Sequence, residues 1–452
     1  MGIMIKLRDY QKQAIESIYK MFDTASRQYI VMPTGSGKTI TFLSYASQYH
    51  DRILIIVPSK ELMKQVYETS LLFYNSSEIS RRGDGHNNKI AKVHICIIHS
   101  IRGDYLEFLS NTKFDLTIID EAHHTQSNSY RRFIRKREKI FDSMDMKILG
   151  VTATPDRSDA LLLTEILDQC SFEISITDLI NRKHLSDIEG FSVKTNIDIS
   201  DVHDHNGDFS LAQLYKKLST DSRNGLIVDM CKKEMKNRKT LIFCINIKHS
   251  KEINFLLNKF GIPSSHIDGN MNSSERNSIL SSFRNGEINF LCNCQLLTEG
   301  FDEPSIDGII LARPTRSRAL FLQMIGRGLR TYQGKSNCKI IDITDNHKLL
   351  AGFNDIVEDV KGETIEKFKS IKDIFNHVEE IALKVTTYFI TRADFFKFKP
   401  IESVEATDSQ IKKLKEENIE FYDSISLNEA SFLIWYHKIK KEYYGNNNSK
   451  KT

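Results

Sequence analysis

Several residue types and patterns are scarce in this chain of 452 residues. It holds one tryptophan and seven prolines, which argues against proline-rich linkers. No uncharged apolar run reaches the roughly 18 residues that a membrane-spanning helix needs. The first residues, MGIMIKLRDYQ, lack the apolar core of a secretion signal. These absences argue against a membrane protein and predict a cytoplasmic one.

Cysteine patterns typical of metal sites are also missing. The seven cysteines are dispersed and none forms a C-x-x-C pair, so a zinc ribbon is not expected. Cys292 and Cys294 lie two residues apart in the strand-like run FLCNCQLL, which favours core packing over metal binding. Dispersed thiols are typical of a reducing compartment.

The chain has little excess of either charge. Its 63 basic and 59 acidic residues leave a net charge of +4. Net charge therefore says nothing for or against a nucleic-acid partner, and any surface that binds a phosphate backbone must be local.

Short, apolar, β-branched runs alternate with amphipathic helical stretches, a pattern typical of parallel sheets built from βαβ units. The runs are QYIVM, RILIIVP, HICIIH, DLTIID and ILGVTA, then TLIFCI, NFLCNC, GIILA and CKIIDI. Their nearly continuous hydrophobicity indicates strands buried on both faces. The sequence predicts an α/β fold with one lobe over residues 1–183 and a second over 184–348. A small mixed and helical accessory region with a helical tail is expected over 349–452.

The segment PTGSGKT follows the strand-like run QYIVM directly. Gly35 and Gly37 leave room for backbone N–H groups to converge on a phosphate chain. Lys38 is expected to reach the β- and γ-phosphates of ATP, and the Thr39 hydroxyl to hold Mg²⁺. The further nucleotide-binding candidates in this loop are Pro33, Thr34 and Ser36.

Two acidic residues, Asp120 and Glu121, end the buried run DLTIID and begin DEAHH. The carboxyl ends of parallel strands are where α/β sheets bind ligands. Asp120 is expected to hold Mg²⁺ through water, and Glu121 to orient and deprotonate the attacking water. Gln11 in LRDYQ could pair with the adenine edge. ATP and Mg²⁺ are therefore the expected cofactors.

With these motifs the chain resembles superfamily 2 helicases of the DEAH type over residues 7–345. The strings DEAHH and QMIGRGLR are most similar to those of RadD-like and phage branch-migration DNA helicases. The resemblance rests on ordered motifs: LRDYQ, PTGSGKT, VPSKELMKQ, DEAH, TATP, TEGFD and QMIGRGLR. It implies two RecA-like lobes and ATP-driven movement on DNA.

The resemblance also implies roles by position. Gln323, Arg327 and Arg330 of QMIGRGLR would be the second lobe's share of the ATP site, with the arginines neutralising charge on the transferred phosphoryl group. Asp302 of TEGFD would lie between nucleotide and nucleic acid. The implied residues that couple ATP to the nucleic-acid groove are His123, Thr152 and Thr154. The implied nucleic-acid contacts are Ser59, Lys60, Ser100, Asn246 and Thr298.

Structural roles stay open for several of these residues. Ser59 could simply cap the helix that begins at Lys60. The basic run RRFIRKREK could line a duplex path, but a solvated helix face is its commoner meaning. The patch YFITRADFFKFKP could stack bases, although a strand that packs its aromatics into a small core is favoured.

The sequence thus predicts an ATP-dependent DNA helicase or translocase. Forked, branched or duplex DNA would be its partner, in unwinding or branch migration during recombination, repair or replication. TATP and QMIGRGLR argue against an RNA helicase, because RNA enzymes usually carry SAT with HRxGRxGR, or QRxGRAGR. A motor subunit of a restriction or phage-defence complex would carry the same motifs, as would an ATPase relative without turnover. Intact Lys38, Glu121 and Arg330 argue against a relative without turnover.

Overall fold

The computed structural model describes most of both predicted lobes and a short part of the accessory region. The described residues are 5–142, 145–153, 163, 165–192, 199, 201–205, 208–298, 300–343 and 408–417. The aromatic patch YFITRADFFKFKP lies outside them, as does most of the accessory region and its predicted helical tail. Within the described part, no helix has the length and apolarity that crossing a membrane requires.

The first lobe is built on one eight-stranded sheet. Its strands are β1 (Arg27–Val31), β2 (Ile53–Val57), β3 (Ile79–Gly83), β4 (His86–Asn87), β5 (Val93–Ile97), β6 (Leu116–Asp120), β7 (Ile148–Thr152) and β8 (Gln169–Glu173). They lie in the order β4-β3-β5-β2-β6-β7-β1-β8, and every neighbouring pair is parallel except β3 and β4. Its helices are α1 (Asp9–Met21), α2 (Lys38–Tyr49), α3 (Lys60–Ser70), α4 (Asp104–Asn111), α5 (Asn128–Glu138) and α6 (Ile176–Asn181).

The second lobe is built on a six-stranded, fully parallel sheet. The strands of this sheet are β9 (Asp187–Ser192), β12 (Thr240–Phe243), β13 (Ser264–His266), β14 (Phe290–Asn293), β15 (Gly308–Leu311) and β16 (Asn337–Asp342). A separate hairpin is formed by β10 (Asp204–His205) and β11 (Asp208–Phe209). The sheet order is β13-β14-β12-β15-β16-β9. The helices are α7 (Leu211–Leu218), α8 (Asp221–Lys233), α9 (Ile247–Lys259), α10 (Ser273–Arg284) and α11 (Arg318–Gly326), followed by α12 (Asp408–Glu416) in the accessory region.

Strand β2 shows why the central strands have almost entirely apolar sequences. Ile53, Ile55 and Val57 pack into one core cluster, and Leu54 and Ile56 pack into another. Because successive side chains of a strand point to opposite faces, both faces of this strand must be covered by helices. The predicted α/β class with mostly parallel sheets is confirmed.

The chain passes from the first sheet to the second between Glu173 and Asp187. In this connection Leu185 forms an isolated antiparallel bridge with Arg330. The backbone N–H of Ser186 donates to the Leu329 carbonyl at 2.7 Å, and its hydroxyl donates to the Arg330 carbonyl at 3.0 Å. The connection is therefore bound to the segment that follows α11.

Candidate ATP site and nucleic-acid track

The phosphate loop joins β1 to α2. Gly35 and Gly37 have φ angles of +86° and +82°, which side-chain-bearing residues rarely adopt. A β carbon on Gly37 would also lie only 2.6 Å from Nε2 of Gln11. The loop thus needs glycine for its shape and for its close neighbours, and it leads into the amide-bearing N-terminus of α2, where anions bind favourably.

Two hydroxyls of this loop fit a bound anion. The side-chain oxygens of Thr34 and Ser36 are buried and have no hydrogen-bond partner within the described part of the chain. Buried hydroxyls without partners are costly, so a ligand that accepts their hydrogens would remove that cost. Pro33 is buried beside them, and Thr39 is half-buried in the first turn of α2.

Two side chains of α1 contact the loop from behind. The Tyr10 hydroxyl donates to the Ser36 carbonyl at 2.6 Å, and Nε2 of Gln11 donates to the same oxygen at 3.2 Å. The amide oxygen of Gln11 accepts from the N–H of Arg8 at 2.9 Å. Gln11 therefore lies at the loop, held by main-chain partners, and its contact with adenine stays a prediction. The sequence analysis did not single out Tyr10.

The acidic pair lies at the carboxyl end of β6. Glu121 has a φ of +49°, and its carboxylate lies 3.2 Å from the ammonium nitrogen of Lys38. Burial alone would raise the pKa of Glu121, but the charges of Lys38 and His123 outweigh burial and lower it. Glu121 is therefore ionised at neutral pH. Asp120 is buried and accepts from the N–H of Glu121 at 3.0 Å.

His123 lies between this acidic residue and the end of β7. Its Nδ1 is 3.4 Å from Oε2 of Glu121 and 3.3 Å from the Thr152 hydroxyl. A change at Glu121 can therefore reach Thr152 through one imidazole ring. The third predicted coupling residue, Thr154, lies outside the described residues.

The second lobe closes on the phosphate loop. A β carbon on Gly35 would lie 3.2 Å from Cγ of Arg330, and one on Gly326 would lie 2.6 Å from Cβ of Thr34. The guanidinium of Arg330 is paired with the exposed carboxylate of Asp302. Burial lowers the pKa of Arg330 to about 10, which leaves it charged at neutral pH. Gln323 is buried on α11 in the same segment.

Arg327 has different surroundings from Arg330. Its Nε and one terminal nitrogen donate to the Thr298 carbonyl at 3.1 and 2.8 Å, and the other donates to the Phe301 carbonyl at 2.7 Å. In this arrangement Arg327 fixes the segment that precedes Asp302. The side chain of Arg330 packs against the phosphate loop at Gly35, and the role predicted for Arg327 in hydrolysis stays a prediction.

The residues predicted to contact nucleic acid follow the carboxyl ends of parallel strands. Ser59 caps α3 by accepting from the N–H of Leu62 at 3.2 Å, and Asn246 caps α9 by accepting from the N–H of His249 at 2.8 Å. Capping uses the acceptor oxygen of Ser59 and leaves its O–H hydrogen for another partner. Lys60 is exposed.

Two further hydroxyls at these strand ends donate to main-chain carbonyls. The Ser100 hydroxyl donates to the Ile97 carbonyl at 2.7 Å, and the buried Thr298 hydroxyl donates to the Gln295 carbonyl at 2.6 Å. Thr298 would have to turn outward to touch a ligand with its hydroxyl. Its place in the track, like the others, stays a prediction.

Comparison with known proteins agrees with this architecture. A family model described as "Type III restriction enzyme, res subunit" matches residues 4–157, and one described as "Helicase conserved C-terminal domain" matches residues 199–332. The putative ATP-dependent helicase IRC3 of Saccharomyces cerevisiae is 32% identical over 352 residues, which are 74% of this chain and 51% of that protein. These matches support a protein of helicase superfamily 2.

The chain spans about half the length of the yeast relative. The DNA 3'-5' translocase XPB2 of Sulfurisphaera tokodaii is 26% identical over 365 residues, covering 72% of this chain and 79% of that one. Yeast Dbp5 bound to RNA and ADP BeF3 has the same fold, with a TM-score of 0.56 and 17% identity over 84% of this chain and 94% of that one. The predicted pair of RecA-like lobes is confirmed.

Proposed function

We propose that this helicase hydrolyses ATP between its lobes and uses the reaction to move along DNA. The observation that carries the proposal is the packing of Arg330 on Gly35. A second-lobe cation beside the phosphate loop can respond to the γ-phosphate only when the lobes are closed. Hydrolysis then changes the contact between the lobes, which is what stepping along a strand requires.

The chemistry is assigned to side chains of both lobes. Lys38, paired with Glu121 at 3.2 Å, would exchange that carboxylate for the phosphates of ATP. Glu121 would then be released to orient and deprotonate water. Arg330 would break its ion pair with Asp302 and neutralise the charge that develops on the transferred phosphoryl group. This stabilisation is worth about 10³ to 10⁵ in rate. Gln323, Arg327 and Asp302 would hold the second-lobe side of the site in place.

Thr39 and Asp120 are the residues that would hold Mg²⁺. Both present hard oxygen ligands, and Mg²⁺ usually needs only one or two protein ligands beside phosphates and water. The ion would neutralise charge on the β- and γ-phosphates. Gln11 would contact the adenine edge, and buried Tyr10 would hold the phosphate loop beside it through the Ser36 carbonyl.

Coupling to the track is assigned to His123 and Thr152. The ring of His123 is within 3.4 Å of Glu121 and 3.3 Å of Thr152. Movement of the Glu121 carboxylate when ATP binds would therefore move the segment after β7, which includes Thr154.

DNA is the proposed track, contacted through Ser59, Lys60, Ser100, Asn246 and Thr298. The motifs TATP and QMIGRGLR support DNA, as do the restriction-enzyme family model and the similarity to a DNA translocase. Forked or branched DNA is the preferred substrate in this proposal, through unwinding or branch migration in recombination or repair. RNA is the second candidate, because an RNA-bound relative has the same fold.

The test measures ATP hydrolysis with single-stranded DNA, duplex, fork, Holliday junction and RNA of matched length. Stimulation by fork or junction above that by RNA supports the proposal. Stronger stimulation by RNA overturns the DNA assignment. Stimulation by plain duplex without strand separation would favour the motor subunit of a restriction or phage-defence complex over an unwinding enzyme.

A further inference from the structure

A hairpin stands beside the predicted track at the edge of the first sheet. β3 neighbours β5 and runs parallel to it. The carboxyl end of β3 therefore lies beside the carboxyl end of β5, which is followed by Ser100. The chain then turns through Gly83, Asp84 and Gly85, whose φ angles are +117°, +47° and +80°. It returns as β4, which ends the sheet. We call residues 79–87 the β3–β4 hairpin.

The hairpin is fixed to the end of β5. The Ser100 hydroxyl, besides its bond to Ile97, lies 3.3 Å from the carbonyl oxygen of Arg82. A β carbon on Gly83 would lie 2.9 Å from Cδ1 of Ile97. The hairpin therefore extends the row of strand ends beyond β5 by one strand, about 4.8 Å.

Two arginines of β3 are stacked on tyrosines from opposite faces of the sheet. The Arg81 guanidinium carbon lies 3.9 Å from the ring centre of Tyr67 on α3, and that of Arg82 lies 4.3 Å from the ring centre of Tyr105 on α4. The Tyr105 hydroxyl lies 2.5 Å from Nε2 of buried His94, which fixes the ring. A cation held in this way loses little side-chain entropy when it binds a ligand.

Lys89 and Arg102 are exposed and add charge beside the hairpin. Within the described part of the chain, neither they nor Arg81 and Arg82 form a salt bridge. Two exposed acids lie near these four basic residues, Asp84 in the turn and Asp104 at the start of α4. The surface is therefore basic and its charges are available to a ligand.

The densest basic run of the sequence, RRFIRKREK, lies on α5, and three of its six basic side chains have partners within the described part of the chain. Arg131 is paired with Glu165 at 2.8 Å, and Lys136 is paired with Glu107. Arg137 is buried and donates to the carbonyls of Leu109 and Thr112 at 3.2 and 2.7 Å. Arg132, Arg135 and Lys139 of the same run are exposed, so the hairpin is distinguished from α5 by its contact with Ser100 and not by charge alone.

We propose that the β3–β4 hairpin, with Lys89 and Arg102, binds the phosphodiester backbone of DNA where it leaves the track at the outer edge of the first lobe. The proposal rests on the proposed function, because it takes Ser100 as part of the track. Arginine and lysine contacts to phosphates position the nucleic acid without reading its sequence. The hairpin thus lengthens the footprint on the substrate and leaves sequence preference unchanged.

The test is a salt titration of binding to a fluorescent forked DNA. Each phosphate contact that is lost makes the dependence of log K on log salt shallower by about 0.9 unit. The double variant Arg82→Gln/Lys89→Gln should therefore lower the slope by about two units. Its affinity should fall equally for forks of unrelated sequence.

Arg52→Gln is the matched control. Arg52 is exposed, and its guanidinium carbon lies 5.7 Å from the ring centre of Phe114. Because Arg52 directly precedes β2, it lies at the amino ends of the parallel strands, opposite to the carboxyl ends where the hairpin turns. It has the same charge and a similar aromatic neighbour, and its loss should leave the slope unchanged. An equal loss of slope in Arg52→Gln would overturn the proposal in favour of general surface charge.

Two more variants separate binding from packing, since Arg82→Gln also removes a side chain from Tyr105. Lys89→Gln/Arg102→Gln changes exposed residues only and should also lower the slope by about two units. Arg82→Lys should keep most of the wild-type slope. Unchanged slopes in both double variants, while the wild type binds DNA, would overturn the hairpin proposal. Failure of the wild type to bind any nucleic acid would overturn the proposed function instead.

Discussion

Arg330 of the second lobe packs against Gly35 of the phosphate loop, where an added β carbon would lie 3.2 Å from its Cγ. The same β carbon would lie 3.2 Å from Cδ2 of Leu185. Leu185 is also the bridge partner of Arg330. The connection between the lobes, the phosphate loop and the second-lobe arginine therefore meet at one point.

The roles of Lys38 and Glu121 can be separated by mutation. Glu121→Gln keeps the shape of the side chain but cannot take a proton from water, so ATP should still bind while turnover falls about 10²- to 10⁴-fold. Lys38→Ala should lose both binding and turnover. Nucleotide binding and steady-state hydrolysis measure the two effects. Near-normal hydrolysis by Glu121→Gln would remove it as the base.

The connection between the lobes should help to position Arg330. Ser186→Ala removes the hydroxyl that donates to the Arg330 carbonyl at 3.0 Å. One hydrogen bond is worth about 0.5–1.5 kcal/mol, so turnover should fall about 2- to 10-fold with little change in ATP affinity. Ser70→Ala is the matched control, because buried Ser70 donates to the Val66 carbonyl at 2.7 Å away from the site. Equal effects of the two changes on turnover would count against a positioning role.

ATP turnover should also depend on Lys335. Its ammonium donates to the carbonyls of Ile306 and Arg330 at 2.6 and 2.8 Å, and burial lowers its pKa to about 8. The charged form holds the segment of Arg330, so its effect is present below about pH 8 and is lost as pH rises through that value. Turnover should therefore fall on this alkaline side. In Lys335→Arg, which keeps its charge, the fall should move to higher pH; an unchanged profile would contradict this role.

Lys60 tests the track apart from the hairpin. It is exposed at the start of α3, so alanine there should not disturb packing. Lys60→Ala should make the salt dependence of DNA binding shallower by about one unit, uniformly across sequences. A slope equal to that of the wild type would place Lys60 outside the track.

The sequence could predict the central strands because they are buried on both faces. Ile53 to Val57 is a continuous apolar run and forms β2, and Leu116 to Ile119, interrupted only by buried Thr117, forms most of β6. The hydrophobic pattern did not predict β3, β8 or β13, which contain Arg81, Gln169 or Ser264 and lie at or near the sheet edges. Edge strands are partly exposed, so their residues do not carry the hydrophobic pattern.

The candidate site was predictable where its residues are close in sequence. The spacing of Gly35, Gly37 and Lys38 alone indicates a phosphate loop. The contact of Tyr10 with the Ser36 carbonyl joins residues 26 positions apart, and the bridge of Leu185 to Arg330 joins residues 145 positions apart. Such contacts depend on the folded chain and leave no local signal. The different surroundings of Arg327 and Arg330 could not be predicted for the same reason.

Arg330→Ala tests most directly whether ATP is hydrolysed between the two lobes. The measurement is kcat for DNA-stimulated hydrolysis beside the Kd for ATP, in the wild type and the variant. We expect kcat to fall about 10³-fold or more while Kd changes only a few-fold, because Lys38 and the phosphate loop remain intact. Wild-type kcat in Arg330→Ala, or an equal loss of kcat and ATP affinity, would contradict a site completed by the second lobe.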